Sequence, residues 1–274
     1  MKKTILFTDL DGTLLDEQTY SANLSLPALR DLQASGVSII FCSSKTRAEQ
    51  AVIRRALNVT DPFIVENGSA VIVPPDTVKI EGGYEELDGT KFLILGKHIA
   101  ELRATLKQVI SVTGIAYQSF YDLSDEQVVQ ITGLDLDSAQ RAKAREFSET
   151  VVTKFDSSEL EVFMRECELR DLQCTFGGRF LSVTGKGADK GRAVQTIAQH
   201  YKAQFGDVIT IGVGDSPNDA PMLQEVDFPY LVQRPDGQWR RGIEVNNLTK
   251  VPAIGPLGFT EMVKDIKRRW VAQN

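Results

Sequence analysis

Thr4-Ile5-Leu6-Phe7-Thr8 is an unbroken apolar and β-branched run that leads straight into Asp9-Leu10-Asp11-Gly12-Thr13-Leu14. So short and continuous a run predicts a strand covered on both faces. The period then changes: Leu24 to Gln33 is amphipathic at helical spacing, Gly36 stops it, Val37 to Phe41 forms a second apolar strand, and a helix runs from about Thr46 to Leu57. Strands alternating with helices predict an α/β fold, a Rossmann-like doubly wound parallel sheet, with ligands gathered at the carboxyl ends of the strands. Asp9 and Ser43 both fall at such ends. The rhythm resumes after Gly185, with a helix from Asp189 to about Tyr201, a strand Val208 to Gly212, a helix from Asn218 and a closing helix from about Pro256 to Trp270.

Between these stretches the pattern differs. Phe92 to Leu95 and Val151 to Thr153 predict strands, Ile99 to Val112 and Ser138 to Phe147 predict helices, and Gly177-Gly178 predicts a hairpin turn, though it would equally allow a substrate to approach closely. The chain therefore divides into a core of 1–84 and 185–274 and an inserted α+β unit of 85–184. A length of 274 residues suits that arrangement, being more than one ordinary core.

Net charge of −6 and an aromatic share of 8% argue against nucleic acid as a partner, so an anionic substrate must meet a local basic cluster. Three cysteines without a CxxC pair fit free thiols in a reducing compartment, and no run approaches a membrane span. The expectation is a cytoplasmic protein with no membrane partner.

Side chains at i and i+2 of a strand share a face, so Asp9 and Asp11 repel unless a cation, a proton or a bend separates them. A second acidic cluster, Gly212-Val213-Gly214-Asp215-Ser216-Pro217-Asn218-Asp219, follows another apolar strand. Asp219 alone reads as a helix cap, but four carboxylates at one sheet edge call for a hard divalent cation. Mg²⁺, with oxygen ligands, suits Asp9, Asp11, Asp215 and Asp219. Ser43-Ser44-Lys45-Thr46 opens a helix and offers hydroxyl and amide donors to an anion, with Ser44 or Thr46 readable also as a plain cap. Lys190, taken alone, reads as a surface lysine.

The order Asp-x-Asp-Gly-Thr, strand-end Ser43, helix-start Lys190 and Gly-Asp-x-x-x-Asp resembles the haloacid dehalogenase-like hydrolase superfamily over essentially the whole chain. The resemblance implies Asp9 as nucleophile, Asp11 as general acid and base, Ser43 and Lys190 on the phosphoryl oxygens, and Asp215 with Asp219 serving Mg²⁺. The insertion would be a cap that selects the leaving group.

Within that superfamily the runs Ser43-Ser44-Lys45-Thr46-Arg47, Glu66-Asn67-Gly68 and Gly177-Gly178-Arg179-Phe180 are similar to the mannosyl-3-phosphoglycerate phosphatase family. The implied partner is a small phosphorylated sugar-glycerate. Its carboxylate would be met by Lys45, Arg47 and the cap arginines Arg165 and Arg179, and its sugar hydroxyls by Glu66 and Asn67. A glucosyl substrate, a general sugar phosphate, a phosphomutase reaction and a non-catalytic binding module are the alternatives.

Overall fold

The chain's first strand, β1 (Lys3–Thr8), lies between two parallel neighbours, and its Ile5, Leu6 and Phe7 are wholly buried. A strand covered on both faces has no polar side, which is why its sequence does not alternate. The computed structural model describes residues 2–177 and 179–272. α1 (Leu26–Ala34) follows with Leu29 and Leu32 turned inward, then β2 (Ser38–Phe41) and α2 (Arg47–Leu57). Thr46 starts α2 with a reciprocal cap: its hydroxyl accepts the Glu49 amide at 3.1 Å, and the Glu49 carboxylate accepts the Thr46 amide at 2.8 Å.

β3 (Phe63–Val65), β4 (Ala70–Val73), β5 (Glu85–Leu87) and β6 (Thr90–Ile94) form an antiparallel sheet in the order β3-β4-β6-β5. Asp88 and Gly89, at φ 49° and 73°, turn the chain between β5 and β6. This sheet runs across residue 84, where the inserted unit was expected to begin. The strand expected at Phe92 to Leu95 pairs with β4, and Phe92 and Leu93 each join one of the two apolar clusters that fill the core.

Residues 99–185 hold α3 (Ile99–Thr113), α4 (Asp125–Thr132), α5 (Leu136–Lys143), β7 (Ser148–Val151), α6 (Ser157–Glu168), β8 (Leu172–Gly177) and β9 (Phe180–Gly185). The strands form a separate antiparallel sheet, β7-β9-β8, against which Leu102, Leu106, Phe163 and Cys167 of α3 and α6 pack. The helix expected over Ser138 to Phe147 ends at Lys143. Phe147 is drawn into the core's apolar cluster, and the amides of Glu146 and Phe147 bond to the Glu66 carboxylate instead of continuing the helix.

α7 (Lys190–Phe205), β10 (Val208–Gly214), α8 (Ala220–Gln224), β11 (Phe228–Gln233), β12 (Thr249–Ile254) and α9 (Gly255–Ala272) complete the parallel sheet, ordered β12-β11-β10-β1-β2. Thr8 stands level with Val213 on one side and Phe41 on the other. The three strands end together, so Asp9, Ser43 and Asp215 emerge at one edge. Among the described residues no helix is long and apolar enough to cross a membrane.

Candidate active site

α7 begins at Lys190, capped by Asp189, whose carboxylate accepts the Arg192 amide. That start carries Lys190 inward, and its 1% exposure excludes a solvent lysine. Its ammonium donates to Asp9 Oδ1 at 2.8 Å and to Asp219 Oδ1 at 2.6 Å. Burial works against the charge, yet Asp219 and Asp9 hold the ammonium above its ordinary value.

Burial pushes the Asp9 carboxyl up, Lys190 draws it down and Asp219 raises it again, leaving it at about 7. Asp215 is likewise held well above the usual carboxylate range by burial and by Asp219 and Asp9, although Arg234 donates to its Oδ2 at 2.8 Å. Such groups gain from a cation placed among them.

Carboxylate oxygens of Asp9, Asp215 and Asp219 all lie within 4.8 Å of one another. Among the described residues three buried acids face only two cations, Lys190 and Arg234, which suits a hard divalent ion. Asp219 has little to offer directly: its Oδ1 takes Lys190, and its Oδ2 accepts the amides of Asp215 and Ser216, both at 3.0 Å. Asp9 and Asp215 would hold the metal, with Asp219 fixing the loop and the lysine behind them. Gly214 permits this closure, because a Cβ there would lie 2.5 Å from the Asp219 carboxylate.

Asp11 stands apart from the expected ligand set. Its Oδ2 lies 2.8 Å from Lys45 Nζ, while its Oδ1 is buried without a hydrogen-bond partner among the described residues. Lys45 is enclosed; burial opposes its charge, but Asp11 and Glu49 hold the ammonium above its ordinary value. Asp9, Asp11, Ser44, Lys45 and Asp215 line a cleft of about 1040 Å³ whose other residues come from both the core and 99–185.

Several expected contacts fall elsewhere. Ser43 is buried at the β2 end, its hydroxyl accepting the Lys45 amide at 3.3 Å. Thr46 serves as the α2 cap and donates to the Arg141 carbonyl at 2.8 Å, so it bridges the core to 99–185. Arg47 does the same, forked onto Glu146 with both bonds at 2.9 Å, and leaves the cleft lining. Glu66 accepts the amides of Glu146 and Phe147 and the Ser148 hydroxyl, and is thereby committed to the chain rather than to a sugar. Asn67 ties Ser182 to Asn218 below the cleft lining. Arg165 faces solvent and meets Glu166, because α6 turns Phe163 and Cys167 inward. Arg179 does line the cleft, its guanidinium on the Thr132 carbonyl at 2.8 Å; Gly178 lies outside the described residues.

The cleft also holds residues that the sequence reading passed over. Arg234 bridges Asp215 and Glu17, the latter at 2.6 Å. Arg145 donates to the Ser44 carbonyl at 3.2 Å, and Phe120, Phe176 and Phe180 give an apolar wall. Arg240 and Arg241 complete it. The signal for the basic group was the run Gln233-Arg-Pro-Asp-Gly-Gln-Trp-Arg-Arg241, a turn motif with three arginines after an apolar strand.

A family model described as haloacid dehalogenase-like hydrolase matches residues 6–235. A Methanococcoides burtonii protein named glucosyl-3-phosphoglycerate/mannosyl-3-phosphoglycerate phosphatase is 39% identical over 265 residues, spanning 96% of this chain and 97% of that one. The mannosyl-3-phosphoglycerate phosphatase of Pyrococcus furiosus is 36% identical over 228 residues, 83% of this chain and 90% of its own. Among solved structures, a Thermoplasma acidophilum protein superposes at TM-score 0.67 with 17% identity, covering 97% and 99% of the two chains, a likeness of fold alone.

Proposed function

Because the chain belongs to the haloacid dehalogenase-like hydrolases, we propose that it is a Mg²⁺-dependent phosphatase that hydrolyses mannosyl-3-phosphoglycerate to mannosylglycerate and phosphate, with Asp9 as the nucleophile. The observation that carries this reading is a carboxylate with one oxygen fixed by a buried lysine, lining a cleft and clustered with two further buried acids, Asp215 and Asp219. In this reading residues 99–185 are the cap.

Asp9 Oδ1 is steadied by Lys190 and would share its remaining lone pair with the metal, which leaves the other oxygen to attack phosphorus. As the new P–O bond forms, the bond to the glycerate oxygen breaks, and Asp11, acting as general acid, gives that oxygen its proton. Asp11 then takes a proton from the water that attacks the aspartyl-phosphate, releasing phosphate and restoring Asp9. Lys190 neutralises the incoming carboxylate throughout. Asp9 and Asp215 would hold Mg²⁺, which when bound would supply charge neutralisation at the phosphoryl group.

A glucosyl substrate is a second reading, favoured by the Methanococcoides burtonii relative whose name carries both sugars. The test is phosphate release from mannosyl- and glucosyl-3-phosphoglycerate against hexose phosphates, with and without chelator, in the natural protein and in Asp9→Asn. Turnover should need the metal and should vanish in Asp9→Asn while the fold is kept. Equal or better turnover of hexose phosphates would sink the substrate, and activity in Asp9→Asn would sink the nucleophile.

A further inference from the structure

The cations lining the cleft are not equally free. Lys45 is held by Asp11 and Glu49, and Arg234 by Asp215 and Glu17. Arg145 is spent on Ser44 and Ser148, and Arg179 on the carbonyls of Ile131 and Thr132. Arg240 and Arg241 line the same cleft, yet neither has a hydrogen bond or ion pair with the described residues. Two arginines consecutive in the chain, exposed on the cleft lining and without a counter-charge among the described residues, offer their guanidiniums to an anion.

The backbone that carries them is fixed. The Arg234 amide donates to Gln238 O at 3.0 Å, the Gly237 amide to Arg234 O at 2.8 Å, and the Gln233 side chain to Gly237 O at 2.7 Å. Trp239 Nε1 pins the next residue to Val251 O at 3.1 Å. The loop's own acid, Asp236, is engaged with the Gln238 amide at 2.9 Å. One loop therefore has its base arginine on Asp215 at the reacting end and its outer arginines uncommitted.

Resting on the phosphatase reading above, we propose that Arg240 and Arg241, on the core loop after β11, hold the carboxylate of the substrate's glycerate. They would take the place of Arg47 and Arg165, which the fold directs away from the cleft. The phosphoryl end is committed to Asp9 and Lys190, and a guanidinium fork matches the planar carboxylate that remains.

The test uses the full-length, Mg²⁺-loaded protein and two competitive inhibitors that differ only in one carboxylate, 3-phosphoglycerate and glycerol 3-phosphate. The natural protein should prefer 3-phosphoglycerate by roughly tenfold or more, the size of charge-assisted pairing. In the double variant Arg240→Gln, Arg241→Gln that preference should fall to about unity through weaker 3-phosphoglycerate binding, with the urea midpoint unmoved. A preference that survives in the double variant, or that disappears in Arg179→Gln instead, overturns the assignment. The two readings separate cleanly: turnover of mannosyl-3-phosphoglycerate with an unchanged preference removes only the arginine site. Loss of the preference in a protein that does not turn over that substrate removes only the substrate.

Discussion

Glu66→Ala should destabilise the protein by about 2–4 kcal/mol. The wholly buried Glu66 carboxylate accepts the Glu146 amide at 2.9 Å, the Phe147 amide at 3.1 Å and the Ser148 hydroxyl at 2.5 Å. Alanine leaves two amides without an acceptor, and each unsatisfied buried donor costs roughly 1–3 kcal/mol. The hydroxyl can rotate, so it adds little. Against this, alanine removes a carboxylate whose burial is itself unfavourable: burial raises the Glu66 carboxyl above 4.5, against the pull of Arg145 and Ser148. Glu66→Gln, keeping one acceptor, should cost less than Glu66→Ala.

The pH dependence has a definite sign. A raised native carboxyl contributes stability that is full below its unfolded value and is lost as pH rises through the native one. The natural protein's advantage over Glu66→Gln should therefore narrow with rising pH. Urea titration at several pH values measures both quantities. A Glu66→Ala penalty under about 0.5 kcal/mol, or a Glu66→Gln penalty as large, would refute the accounting.

Arg234→Gln removes a cation that competes for Asp215, so calorimetric Mg²⁺ affinity should tighten by roughly tenfold; unchanged or weaker binding would mean that Arg234 only braces the loop. Thr46→Ala should cost about 1–2 kcal/mol in urea unfolding as a lost cap and lost bridge, with Ki for inorganic phosphate within about twofold. A large rise in that Ki would restore Thr46 to the substrate-binding set. Arg47→Ala should leave kcat/KM for the glycerate substrate within a few-fold, since its fork is filled by Glu146.

The core motifs were legible because each is local: an apolar strand, then acids or hydroxyls at its end, then a helix start. Register then brings Asp9, Ser43 and Asp215 to one edge without further instruction. What the sequence hid was set by partners distant in the chain. Arg47 and Arg165 carry the right charge, but their direction depends on Glu146 and on which face of α6 is buried. Glu66 looked like a sugar ligand because nothing nearby announces the three donors some eighty residues on. Other signals were present and unused. Ser124 with Gln127 and Asp156 with Glu159 are capping boxes for α4 and α6, and Asp88-Gly89 is the turn that pulls β6 into the core.

The bonds joining residues 141–148 to the 44–66 stretch have a mechanical consequence. The loop of Ser44 and Lys45 is fastened to the inserted segment by Thr46 to Arg141, Arg145 to Ser44, and Glu66 to 146–148. A movement of that segment away from the sheet must either break these bonds or drag the loop along. On the phosphatase reading, opening the cleft without breaking them would carry Lys45 away from the Asp11 carboxylate in the same stroke, tying product exit to the resetting of that acid.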